Sequence, residues 1–112
     1  MLEIDLPIGP SLNNMFPTYG GVRRKSRKYR AWLKEAGWEL KAGKPGRVEG
    51  PYRLLLKLPA KMPGDVSNRL KAVEDLLVAH GITPDDRYAI SSGAERCPDV
   101  PAGRCIVQVR AA

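Results

Sequence analysis

Hydrophobic and polar positions alternate at the start of the chain, and the pattern then changes to that of a loop. From Leu2 to Leu6 every second residue is apolar, which predicts a short, half-buried strand that ends at Pro7. Between Ile8 and Lys25 the chain is rich in glycine, proline and asparagine, which predicts a long loop. A loop of this length within a compact domain is usually functional or mobile.

Two later segments have the periodicity of helices. From Ser26 to Lys41 apolar residues recur every three or four positions, with Ser26 in place for an N-cap. The Gly-Lys-Pro-Gly run at residues 43–46 ends this helix. A second helix is predicted from Asn68 to His80, with Gly81 where a C-cap glycine belongs and His80 as a cap or dipole partner.

Three further apolar segments predict strands, at residues 52–58, 88–92 and 104–110. The last two form a pair joined by a loop rich in proline and glycine, and we expect Cys97 and Cys105 to lie in this hairpin as reduced thiols. The predicted order is β-α-β-α-β-β. We therefore expect one α+β domain over residues 1–112, with two helices and a small mixed β-sheet.

Composition narrows the class of protein. The chain has 112 residues, 43% of them hydrophobic, which is ordinary for a globular domain and too high for a disordered chain. No window approaches the ~18 apolar residues of a membrane span, and residues 1–10 lack a signal-peptide pattern. Two cysteines and one histidine exclude a disulfide framework and a four-ligand zinc site without carboxylates. We expect a soluble, cytoplasmic protein.

Charge is distributed unevenly along the chain. Lysine and arginine outnumber aspartate and glutamate by 19 to 12, a net charge of +7. Residues 21–61 hold 13 basic and three acidic residues, so this segment carries +10 and the remainder −3. The segregation indicates a positive surface for a polyanion and a separate place where carboxylates gather. A basic patch alone fits DNA, RNA or anionic lipid equally well, and a merely solvated basic face is the plain alternative.

The second helix divides into an apolar and a polar face. At about 100° per residue, an amide, an ammonium and a carboxylate fall on one face, those of Asn68, Lys71 and Asp75. The opposite face is apolar and consists of Leu70, Val73 and Leu77. Taken alone, this pattern is that of a solvated amphipathic helix whose Lys71 and Asp75 form an i,i+4 ion pair.

Further carboxylates flank this helix. Asp65 precedes it, and Asp85 and Asp86 follow it, although a straight helix of this length would hold its two ends ~20 Å apart. Asp65 and Asp86 meet only if the chain after Gly81 returns along the helix, or if a second subunit completes the site. Paired carboxylates that hold Mg²⁺, with a lysine that offsets developing charge, suit phosphodiester hydrolysis.

Three motifs together resemble one family. Residues 9–13 read Gly-Pro-Ser-Leu-Asn, residues 65–76 read Asp-Val-Ser-Asn-Arg-Leu-Lys-Ala-Val-Glu-Asp-Leu, and Asp86 stands 18 residues beyond Asn68. This resembles the RusA-type Holliday-junction resolvases, which have a Pro-Pro-Ser-x-Asn loop, an Asp-x-Asp-Asn-x-x-Lys-x-x-x-Asp-x-Leu segment and a later Asp-Asp pair. The resemblance runs from Ile4 to about Ile90.

The resemblance implies an endonuclease, encoded by a bacterium or a phage, that acts in recombination and repair. Such an enzyme is a homodimer that uses Mg²⁺, or Mn²⁺ in its place, and no small-molecule cofactor, to nick four-way DNA junctions symmetrically. It assigns Asp65 and Asp86 to the metal and Lys71 to transition-state stabilisation, with Asn68 and Asp75 in support.

One position departs from the family pattern. Ser67 stands where a second metal-binding aspartate is usual. Asp85, or a water held by Ser67 and Asn68, would then fill that role, and Ser67 is equally well read as the N-cap of the helix. The alternative function is a junction- or RNA-binding protein with a degraded catalytic centre; a third is a small interaction protein whose basic face docks an acidic partner.

The DNA contacts would come from the loop and the basic segment. Phe16 and Tyr19 are placed to wedge into an open junction, Trp32 belongs to the core, and Trp38 is available for a dimer contact. The polar and basic side chains expected to meet DNA are Asn13, Arg23, Arg24, Lys25, Arg27, Lys28, Arg30, Lys61 and Arg69.

Overall fold

A computed structural model describes residues 1–112, except for the side chain of Tyr19. It contains two α-helices, α1 (Arg27–Gly43) and α2 (Leu70–Ala79). Four strands form the main sheet: β1 (Leu2–Pro7), β4 (Tyr52–Pro59), β5 (Ala89–Cys97) and β6 (Arg104–Ala111). A small hairpin, β2 (Thr18–Tyr19) with β3 (Val22–Arg23), precedes α1. The predicted α+β class and the β-α-β-α-β-β order of the main elements are confirmed.

The order of strands in the main sheet is β1-β6-β4-β5. β4 and β5 are parallel and joined through α2, whereas β6 runs antiparallel to both β1 and β4. The expected hairpin of the last two strands is therefore wrong, because β4 lies between them. The loop after Cys97 crosses the end of β4, so the two cysteines lie on strands that are not neighbours. Both are free, and burial raises the pKa of the Cys105 thiol to about 12.

One face of the sheet is covered and the other is open. Along β4, Tyr52, Leu54, Leu56 and Leu58 are buried, whereas Arg53 between them is exposed. The buried side chains of the strands join those of both helices in a single hydrophobic core. The period-2 pattern of β4 thus places both helices on the same side of the sheet.

Helix α1 follows its sequence signals closely. The Ser26 hydroxyl oxygen accepts a hydrogen bond from the Tyr29 amide at 3.0 Å, so the predicted N-cap is confirmed. Trp32 is buried and its indole nitrogen donates to the Pro7 carbonyl at 2.8 Å, which confirms its place in the core. Gly37 is buried where α1 approaches the end of α2. A Cβ at this position would lie only 3.1 Å from the His80 ring, so the close approach favours glycine.

The loop between β1 and α1 is more ordered than predicted. It contains a 3-10 turn (Leu12–Asn14), a fully buried Met15 and the β2–β3 hairpin. The hairpin turns at Gly20 and Gly21, both with positive φ, which is the backbone conformation of a tight two-residue turn. No hydrophobic periodicity marks such short strands, so sequence pattern alone does not detect them.

Helix α2 starts later than predicted. A 3-10 turn (Val66–Arg69) precedes it, and Arg69 occupies the N-cap position without a side-chain cap. Ser67 lies exposed inside that turn, so its reading as the N-cap is wrong. Gly81 has φ +70 just after the helix, as a C-cap glycine requires. Among the described residues, no helix is long and apolar enough to cross a membrane.

Candidate functional site

The polar face of α2 meets the segment that follows the helix. Lys71 Nζ lies 3.0 Å from Asp75 Oδ1 and 3.6 Å from Asp86 Oδ2. The i,i+4 pair expected from the sequence is therefore present, and Asp86 joins it from 15 residues further along the chain. We call Lys71, Asp75 and Asp86 the Lys71 cluster. Its three side chains are 37–47% exposed, so the cluster is open to a large ligand.

Asp86 reaches Lys71 because the chain turns back after α2. The Ile82 amide donates to the Leu77 carbonyl at 2.9 Å, and the Ile82 carbonyl accepts from the Val48 amide at 2.8 Å. Ile82 and Thr83 are buried, which holds the returning chain against the core. Asp86 therefore approaches the start of α2 within one chain, but among the described residues no ion pair or hydrogen bond joins it to Asp65, so the expected meeting of these two carboxylates stays a prediction.

The electrostatics of the Lys71 cluster include a residue that the sequence analysis missed. Glu74 is half-buried, and burial raises its pKa; Asp86 and Asp75 add to this, whereas the Ser92 side chain and Lys71 oppose it. The hydrogen bond to Asp75 raises the pKa of Lys71 above its usual value. The signal for Glu74 was its i,i+3 spacing from Lys71, which places it on an adjoining part of the helix surface.

Tyr29 connects this cluster to the basic segment. Its ring is buried at the start of α1, and its pKa is raised by burial and then by the nearby Asp75. Lys25 Nζ lies 6.0 Å from the centre of the same ring, and Phe16 packs edge-on against it at 5.5 Å. Tyr29 thus has Lys25 beside its ring, and the charges of Asp75 and Lys71 act on its hydroxyl.

The first turn of α1 and the residues before it form a continuous positive surface. Arg24, Lys25, Arg27 and Arg30 line an open hollow of about 610 Å³, and Lys28 lines a second hollow beside Asn14. We call these five cations the α1 basic surface; all five are exposed. Arg23 lies beside it with its guanidinium 4.7 Å from the centre of the Phe16 ring. These are six of the nine predicted DNA contacts. The side chain of the other loop aromatic, Tyr19, is outside the described residues.

Arg69, a predicted DNA contact, also has a partner within the chain. Its Nη1 donates to the Gly9 carbonyl at 2.7 Å, the side chain is half-buried, and among the described residues its Nε has no partner. A Cβ at Gly9 would lie 3.3 Å from Ala72 and from the Trp32 ring. Arg69 therefore fastens the loop to the gap between α1 and α2, and its contact with DNA stays a prediction.

The other predicted site residues are exposed or half-buried, and among the described residues none of them forms an ion pair with Lys71. Asp65 is exposed at the start of the 3-10 turn before α2. Asn68 in the same turn is half-buried, and its backbone N–H donates to the Asp65 backbone carbonyl at 3.2 Å. The Asp85 carboxylate accepts from the Arg87 amide, which lowers its pKa. Asn13 and Lys61 are exposed. Within the described part of the chain, no three aspartate, glutamate, histidine or cysteine side chains form a metal-binding group.

The donor chemistry of the cluster nevertheless suits Mg²⁺. Magnesium is commonly bound through one or two carboxylates, several waters and the phosphates of its substrate. Asp86 and Asp75 both lie against the Lys71 ammonium, so two partly exposed carboxylates are close to each other, and Glu74 is nearby. A site of this kind would be completed by waters and by oxygen atoms of a bound ligand.

Comparison with other proteins adds no further constraint. A scan against models of known protein families finds no match, and a comparison with curated proteins finds no relative.

Proposed function

We propose that this protein is a Mg²⁺-dependent, structure-selective DNA endonuclease that resolves four-way junctions by paired symmetric nicks in recombination and repair. The observation that carries the proposal is the convergence of Asp86 and Asp75 on Lys71 in a cluster that is open to solvent. The same chain presents the exposed cations of the α1 basic surface, which are suited to phosphates.

Binding would begin at the α1 basic surface. Exposed arginines and lysines contact phosphates without reading sequence, which suits a protein that recognises the shape of branched DNA. Phe16 packs on Tyr29 and lies under Arg23, so the β2–β3 hairpin is supported next to this surface. The hairpin is a candidate wedge for the open centre of a junction.

Cleavage would take place at the Lys71 cluster. Asp86, Asp85 and Asp65 are the proposed Mg²⁺ ligands, with Asp75 now adjacent to the first of them. Bound Mg²⁺, or Mn²⁺, would polarise the phosphoryl oxygen and lower the pKa of a water. Lys71, oriented by Asp75 and Asp86, would donate a hydrogen bond to a phosphate oxygen and offset the charge that develops as the P–O bond breaks.

A homodimer is part of the proposal. A junction has approximate two-fold symmetry, so two subunits related by a two-fold axis would each nick one strand. The partner subunit would also supply what one chain leaves incomplete, since Asp65 makes no ion pair with Lys71 among the described residues. Trp38, 74% exposed on α1, remains our predicted dimer contact.

The second candidate function is binding to junctions or RNA without cleavage. Ser67 favours it, because an exposed neutral hydroxyl stands where the family has a metal-binding carboxylate. This candidate predicts tight, salt-sensitive binding with no nicking in Mg²⁺ or Mn²⁺, and nicking by the Ser67→Asp variant.

The test is an assay of a synthetic four-way junction with wild-type protein and with the Asp65→Asn and Asp86→Asn variants in Mg²⁺. Asp99→Asn is the matched control, since Asp99 is exposed in the turn after β5, away from the cluster. We expect paired nicks with wild type and the control, and their loss in both other variants. Nicking that survives both substitutions would refute the site, and binding no tighter to junction than to duplex would favour an acidic protein partner.

A further inference from the structure

The open face of the sheet contains two arginines directly opposite each other. Arg53 on β4 and Arg110 on β6 are cross-strand partners in the antiparallel ladder, and both are exposed. Like charges at such positions destabilise a sheet, because directly opposite Cβ atoms are only ~5 Å apart. This like-charged pair lies at one end of the two central strands of the sheet, where a bound anion would stabilise it.

Other charges on this face do have complementary partners. Lys57 stands opposite Glu95 in the β4–β5 ladder, and the Gln108 amide donates to Glu3 at 2.9 Å. Among the described side chains, neither Arg53 nor Arg110 forms an ion pair. The one hydrogen bond there joins Arg53 Nη1 to Ser91 Oγ at 3.4 Å, a long contact with a neutral hydroxyl.

These arginines line a hollow. Its volume is about 440 Å³, and Arg53, Arg110, Ser91, Gly93, Leu55 and Gln108 surround it. A Cβ at Gly93 would meet nothing within 4 Å, so this part of the floor is open. The volume lies within the ~300–1,000 Å³ typical of small-molecule sites, and Leu55 gives it an apolar floor.

We propose that this hollow binds the phosphoryl group of a nucleotide, either free or within a nucleic-acid strand. Guanidinium groups match phosphate oxygens with paired hydrogen bonds, and the Ser91 hydroxyl would supply a further donor. A bound phosphate would replace the repulsion between Arg53 and Arg110 with attraction to both. Leu55 would lie against the sugar or base.

This site is separate from the α1 basic surface. The helices cover one face of the sheet, and the hollow opens on the other, so the two positive surfaces face different directions. The proposal does not depend on the nuclease function: it predicts phosphate binding whether or not the Lys71 cluster cleaves DNA.

The test is a titration followed by NMR on the ¹⁵N-labelled full chain, with inorganic phosphate, a nucleoside monophosphate and a short single-stranded oligonucleotide as probes. We expect the Ser91, Gly93 and Gln108 resonances to shift with each probe. Arg53→Gln/Arg110→Gln should weaken binding at these resonances at least tenfold. Lys57→Gln is the control: it removes a positive charge from the same face of the sheet, at a position opposite Glu95, and should change the affinity at these resonances less than twofold.

The probes also distinguish the source of the phosphate. Equal affinity for the nucleotide and the oligonucleotide indicates a free nucleotide, whereas a tenfold preference for the oligonucleotide indicates a strand. The absence of shifts at Ser91, Gly93 and Gln108 with all three probes would overturn the proposal, and so would unchanged affinity in the folded double variant. If the double variant does not fold, the wild-type shift map alone decides, because phosphate bound elsewhere would leave these resonances unmoved.

Discussion

Replacement of Lys71 with methionine tests whether the Lys71 cluster holds its carboxylates together. The substitution keeps an unbranched side chain in α2 and removes the ammonium group shared by Asp75 and Asp86. Because these groups are partly exposed, each pair should contribute about 0.2–1 kcal/mol. The two pairs together then predict a loss of about 0.5–2 kcal/mol in the free energy of unfolding, towards the upper end because three carboxylates, including Glu74, are left to repel one another.

The loss should depend on salt and on pH. Screening lengths fall from about 30 Å at 0.01 M salt to about 3 Å at 1 M, so most of the difference should disappear at high salt. The pKa of Lys71 is raised in the folded protein, so its contribution is fully present below the ordinary lysine pKa. It is lost as the pH rises through the raised value. At neutral pH the full effect should be measured.

Urea unfolding of wild type, Lys71→Met and the control Lys34→Met measures the effect. Lys34 is exposed on α1 and, among the described side chains, belongs to no ion pair. We expect Lys34→Met to change the free energy of unfolding by less than about 0.5 kcal/mol. If both variants lose the same stability at low salt, or if the Lys71→Met deficit persists at 1 M salt, the electrostatic account of this cluster is wrong.

Three further predictions concern the surroundings of the site. Burial raises the pKa of Glu74, so the free energy of unfolding should fall as the pH rises from the ordinary glutamate pKa through the raised one. In unfolding measurements from pH 4 to 8, Glu74→Gln should remove this fall. Gly9→Ala should lower the free energy of unfolding by about 1–3 kcal/mol, because the added Cβ would lie only 3.3 Å from the Trp32 ring and from the Ala72 Cβ. Calorimetry measures the change, and a wild-type melting temperature would contradict it. Ser26→Ala should cost about 1 kcal/mol through the lost N-cap, whereas Ser26→Asp should cost little.

The elements that depend on local chemistry were predictable. Ser26 caps α1 because a hydroxyl before a helical pattern finds the free amides of the first turn, and Trp32 is buried because it lies on the apolar stripe of that helix. The strand at 52–58 was found within one residue, since its apolar run is bounded by proline and glycine.

The features that depend on residues far away in the chain could not be predicted from the sequence. Period-2 alternation identifies strands but not their neighbours, so the position of β4 between β5 and β6 was missed. Arg69 looked like a free cation, but its partner is the Gly9 carbonyl 60 residues away. Asp86 reaches Lys71 only because the chain turns at Gly81 and is then held by Val48 and Leu77, contacts that no local pattern reveals.

The catalytic role of the Lys71 cluster is tested by the rate at which Asp86→Asn nicks a four-way junction in Mg²⁺, compared with Asp99→Asn at equal junction occupancy. We expect Asp99→Asn to nick both strands at the wild-type rate. We expect Asp86→Asn to bind the junction but to nick it at least about 100-fold more slowly. An Asp86→Asn rate within twofold of the control would contradict the assignment of the Lys71 cluster as the catalytic centre.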